Sequence, residues 1–180
     1  MKKLIVLAAG AMLAAVTNAA AVGWNMAGAA GYTGDAYNFF IIGENGADSI
    51  ATITALLDAG NSVDAYAFGS GKIAANGTGT VAASASGKTL DAGTYESFFV
   101  LFDSASPTSG ESKYVVVSGA SNLTKTIAAT TANITFASGS AASILSNTDN
   151  WKSYGAVPEP TSGLLMLLGM AGLALRRKRA

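Results

Sequence analysis

The stretch "TYESFFVLFD", Thr94 to Asp103, carries large apolar side chains on both faces. Side chains alternate along a strand, so Tyr95, Phe99 and Leu101 point one way and Phe98, Val100 and Phe102 the other. Either face left in water would expose a row of aromatic and branched side chains, so this strand belongs in the middle of a packed structure. The turn-like "SPTSGES" (106–112) comes next, and then an apolar run from Lys113 to Ser118. So tight a connection predicts an antiparallel hairpin.

Other segments repeat the period of two. Tyr37 to Ile42 reads as a strand apolar on both sides, closed by the turn Glu44-Asn45-Gly46. Ser62 to Phe68 alternates and suits an edge or half-buried strand, whereas 69–87 reads as loops around one weak strand near Thr80 to Ala83. Leu123 to Ala128 and Asn133 to Ala137 complete the set, the last with Ile134 and Phe136 inward and Thr135 outward. "DSIATITALLDAGNS" is contested. Asp48 or Ser49 could cap a helix with Ile50, Ile53 and Leu57 on one stripe and Gly60 at its end, but the β-branched run 50–54 favours a strand. The helix is the preferred reading. The expected fold is mainly β: an antiparallel β-sandwich with one short helix packed on it. A tether, 147–156, containing Trp151 and Tyr154, comes after a domain expected to span 22–146.

Residue types exclude several chemistries. The 180 residues include no Cys and no His. That removes disulfides, thiolate nucleophiles, a Ser-His-Asp triad and the usual zinc ligands. The two ends carry six of the eleven basic residues, leaving five lysines against all eleven acids between them, a net charge of about −6. Such a body is no partner for nucleic acid. Gly69-Ser70-Gly71-Lys72 fails as a phosphate loop because Tyr66 stands at the first glycine and Ile73 at the Ser/Thr. Gly77 to Ala82 fits a dinucleotide fingerprint only formally, with no strand before it and no helix after it.

Weaker constellations remain. Asp58, Asn61 and Asp64 could offer oxygen ligands to Ca²⁺. Trp24, Tyr32, Tyr37 and Trp151 could stack on sugar rings if exposed, though core packing explains them as well. Two carboxylates facing each other in a cleft would suit a glycosidase, but no two acids are singled out by context. Asn76, Asn122 and Asn133 head glycosylation sequons of the kind that arise by chance in Ser/Thr-rich sequence. The preferred expectation is a non-enzymatic chain with no cofactor and no metal. A carbohydrate- or Ca²⁺-binding module and a carboxylate-dependent hydrolase are the alternatives.

The ends are more explicit. Lys2 and Lys3, the uncharged apolar run Leu4 to Val16, and the small residues Ala19, Ala20 and Ala21 form the three-part pattern of a secretory signal peptide, here 1–21. Cleavage after Ala19 or after Ala21 satisfies the small-x-small rule. At the other end, "VPEPTSGLLMLLGMAGLALRRKRA" places Pro158-Glu159-Pro160 before fifteen uncharged residues, Thr161 to Leu175, and then Arg176-Arg177-Lys178-Arg179. A helix over 161–175 would reach about 22 Å at ~1.5 Å per residue, short of a hydrocarbon core of about 30 Å. It can still insert if the flanks snorkel and the bilayer thins. The basic tail would halt transfer and stay cytoplasmic.

Segment 157–180 resembles the PEP-CTERM sorting signal of Gram-negative bacteria, in the order, spacing and position of its three parts. The resemblance implies recognition at Pro158, Glu159 and Pro160 by the exosortase, a membrane-embedded cysteine protease. It also implies transient anchoring in the inner membrane by the 161–175 helix, with Arg176, Arg177, Lys178 and Arg179 as the stop. Release to the cell surface or extracellular matrix would come next, often beside exopolysaccharide. The prolines bias Val157 and Glu159 away from helix, leaving an extended segment whose one charge, Glu159, could be the recognition handle.

Overall fold

The computed structural model describes residues 19–155. The both-faced strand is β5 (Gly93–Phe102), and it lies inside the larger of two sheets. Its second half pairs antiparallel with β2 (Ala36–Ile41), setting Phe99 against Phe39, and with β6 (Lys113–Val117), setting Phe99 against Val117. Its first half pairs with β7 (Thr124–Ile127). The edges are short: β3 (Gly69–Lys72) beyond β2, and β9 (Lys152–Ser153) beyond β6.

Each face of β5 is covered by a different layer. Phe99 and Leu101 share a core with Phe39 of β2 and with Val22, Trp24 and Met26 of β1 (Ala20–Ala27), the middle strand of the smaller sheet. That sheet runs β4–β1–β8, with β4 (Val81–Leu90) antiparallel to β1 and β8 (Asn133–Ser140) parallel to it. Trp24 stacks on Phe39 at 4.9 Å and its Nε1 donates to Tyr37 Oη at 3.2 Å. On the opposite face, Phe98, Val100 and Phe102 join Phe40 and Tyr114 under α1 (Ile50–Asp58), which contributes Ile53 and Leu57. Phe40 and Phe98 stack at 4.9 Å between these layers.

The helix forms despite its β-branched run because its ends are satisfied. Ser49 Oγ accepts from Thr52 N at 3.1 Å, and Gly60 closes the C-terminus at φ +75. A second helix, α2 (Ala142–Ser146), is a single short turn after β8.

Several expectations are corrected. The antiparallel sandwich is a mixed structure, because β1 and β8 run parallel. Residues 62–68 are not a strand. Asp64 N bonds to Ser62 Oγ, Asp64 carboxylate takes Ser62 and Asn38 at 2.9 and 3.0 Å, and a 3-10 turn results. The strand lies instead in the glycine-rich 69–72, where a Cβ on Gly69 would strike the Trp24 indole. The weak strand near 80–83 extends to ten residues. β1 begins at the fully buried Ala20, two residues before the expected domain start at 22. The expected tether is folded too: Asn147 caps a 3-10 turn at 148–150, β9 pairs with β6, and Tyr154 is buried. Residues 1–18 of the expected signal peptide, 1–21, and the expected membrane helix 161–175 lie outside the described residues. Among those described, no helix is long and apolar enough to cross a membrane.

Candidate functional site

The body ends in a closed set of contacts. Tyr154 N donates to Ser112 O at 2.8 Å, and Gly110 N donates to Tyr154 O at 2.7 Å. Gly155 N donates to Leu57 O at the end of α1, at 2.8 Å. The Tyr154 ring meets Phe102 edge-on at 5.6 Å. Burial, and then the charge of Asp64, push its phenol upward from the usual range. Gly60 (φ +75) and Gly155 (φ +81) lie backbone to backbone: a Cβ on either would come within 3.2 Å of the other's Cα and collide with Ser109 Oγ. The positive φ of both positions and the closeness of their backbones favour glycine at each. In the sequence Gly60 reads as a helix end, with no sign of its partner; nothing local ties position 60 to position 155.

A second feature is a groove of about 310 Å³ lined by Tyr32, Trp151, Asp103, Lys113, Leu145 and Thr148. Tyr32 and Trp151 stack at 4.8 Å, and Tyr32 Oη and Trp151 Nε1 both donate to Leu145 O, at 3.2 and 2.9 Å. Asp103 Oδ1 accepts from Lys113 N at 2.7 Å. Asp35, at the start of β2, has its carboxyl raised, mainly by burial and then by the charge of Asp103. Chain topology alone brings these two acids together.

The structure sorts the four aromatic candidates into two pairs. Trp24 and Tyr37 are core residues, whereas Tyr32 and Trp151 are half-buried at the groove. The proposed Ca²⁺ ligands are drawn to separate partners. Asp58 Oδ1 takes Tyr114 Oη at 2.5 Å, and Asp64 takes Asn38 and Ser62. Among the described residues, no three His, Cys, Asp or Glu side chains gather as a group that could hold a metal ion. Pro158, Glu159, Pro160, Arg176, Arg177, Lys178 and Arg179 all lie outside the described residues.

The body is thus a mainly β, two-sheet protein with one helical layer. The segment after it has a match: residues 156–179 fit the family model described as the PEP-CTERM protein-sorting motif. Comparison with curated proteins and with solved structures gave no match. The chain therefore carries a sorting signal that starts one residue beyond Gly155, whose N–H bonds to Leu57 O. The motif implies export, a membrane-held C-terminus and processing by an exosortase.

Proposed function

We propose that this is an exported envelope protein of a Gram-negative bacterium whose body is a non-catalytic structural component of the cell surface or matrix. The N-terminal segment directs secretion. The 161–175 segment halts in the inner membrane, held by Arg176 to Arg179, and the exosortase reads Pro158-Glu159-Pro160. The trimmed body then passes to the surface, with exopolysaccharide as its neighbour. The match at 156–179 supports the sorting part of this reading. Burial of both faces of β5 supports a body that can stand alone once freed from the membrane.

The β1 strand favours one of the two export cuts. Ala20 is fully buried and pairs with Leu90, and Ala21 N donates to Ala132 O at 2.9 Å. Cutting after Ala21 would remove both residues from the sheet, which supports removal after Ala19. Intact-mass analysis of the protein made in its own host tests the whole reading. The expected species begins at Ala20 and ends near the PEP triplet, and Glu159→Ala blocks the second trimming. A mature chain that keeps Arg176 to Arg179 refutes sorting and leaves a permanent anchor.

A further inference from the structure

The contacts at the end of the body bear directly on how the motif is reached. Tyr154 and Gly155 are held by three backbone hydrogen bonds, and the motif match begins at position 156. Only Ala156 and Val157 separate Gly155 from Pro158. Fully extended, two residues reach about 7 Å. A protease commonly takes its substrate as an extended segment, pairing with several backbone groups along it. With the body closed, the N-terminal flank of Pro158 is too short to be bound in that way.

The closing segment is also a short piece at the edge of the sheet. β9 has two residues, contributes two register pairs to β6 and stands at the sheet edge. Local opening draws on such short, peripheral elements. Its release as far back as Trp151 would give the motif a free flank of seven residues, 151–157; it withdraws the Tyr154 ring from Phe102 and Trp151 from Tyr32 but leaves the pairing of β5 with β2 and β7 in place.

We propose that segment 152–155 is a latch that governs trimming: the exosortase acts on the chain only while this segment is undocked from Leu57, Gly110 and Ser112. The proposal rests on the sorting reading above. The Gly60–Gly155 contact and the buried Tyr154 ring set how often the latch opens. After trimming, the same contacts re-form and hold the new C-terminus against the body.

The experiment uses the full-length chain in its host, with trimming followed by pulse-chase and intact mass. One variant inserts six Gly/Ser residues between Gly155 and Ala156, which lengthens the flank and leaves every latch contact in place. A second, Tyr154→Ala, empties the ring's site while keeping the backbone bonds. The inserted chain offers a long flank without opening, and Tyr154→Ala raises the population of the opened state that cleavage tracks, so both variants should be trimmed about tenfold faster or more. Equal rates for the inserted and natural chains would overturn the latch while sorting stood. A faster inserted chain beside an unchanged Tyr154→Ala chain would refute it too, because reach alone would then be limiting. A natural chain never trimmed at all would remove the sorting reading and the latch together.

Discussion

Gly77 and Gly79 share one short turn and a positive φ, +76 and +59, yet their surroundings differ. Asn76 Oδ1 accepts from Thr78 N and Thr80 N, both at 3.3 Å, and thereby shapes the turn. A Cβ on Gly77 would meet open space, whereas one on Gly79 would fall on the backbone of Ala29 and Ala30. Gly77→Ala should cost about 1–2 kcal/mol, the strain of a left-handed residue. Gly79→Ala adds overpacking of about 1–3 kcal/mol to that strain. Urea unfolding of the two variants checks the order; equal losses would mean that the turn simply shifts. In sequence these glycines fit a cofactor fingerprint formally, and the same letters serve a turn. The difference lies in Ala29 and Ala30, some fifty positions away, which no local pattern names.

Among the elements, β5 and α1 were legible and β3 was not. β5 was read correctly, down to which side chains share a face, because its apolar residues keep a period of two and burial enforces it. The helix was legible through Ser49 and Gly60, whose capping outweighs the weak helix preference of Ile50, Thr52 and Ile53. Ser49→Ala should therefore destabilise the body by about 1 kcal/mol, measured as a lower urea midpoint with an unchanged slope. By contrast, β3 is Gly-Ser-Gly-Lys, with nothing apolar to show. It is a strand because β2 offers backbone partners and because its glycines leave room for Trp24 and Tyr37. Residues 62–68 misled for the opposite reason: Val63 and Ala67 are buried at strand-like spacing, but on either side of a turn.

At the scale of the whole molecule, the helical layer is tied to the larger sheet by Tyr114 Oη donating to Asp58 at 2.5 Å. Burial first, then that hydrogen bond, then the Asp58 charge push the Tyr114 phenol far above its usual range. Tyr95 and Tyr154 are raised as well, each chiefly by burial. A phenol whose pKa is higher folded than unfolded favours the fold while it stays protonated. This contribution is complete below the unfolded pKa of about 10 and is lost as pH rises from there through the folded value. Stability should thus hold between about pH 8 and 9.5 and fall steadily above about 10. Tyr114→Phe should lose about 1 kcal/mol at neutral pH and show a shallower alkaline fall. Urea midpoints from about pH 8 to 11 test it; identical slopes for the two chains would remove Tyr114 from the account.

What the sequence determined by itself is whatever is written in neighbouring residues. The sorting motif is a contiguous string, the two faces of β5 come from strand geometry, and the helix caps lie within a turn of the residues they serve. Tertiary structure alone decided the parallel pairing of β1 with β8, the groove that gathers Tyr32, Trp151 and Asp103, and the closure of Gly155 on Gly60. Each joins segments tens of residues apart through backbone bonds or close approach of small residues. Such contacts leave no periodic trace, because they are chosen by which distant surfaces remain to be buried once the local elements have formed.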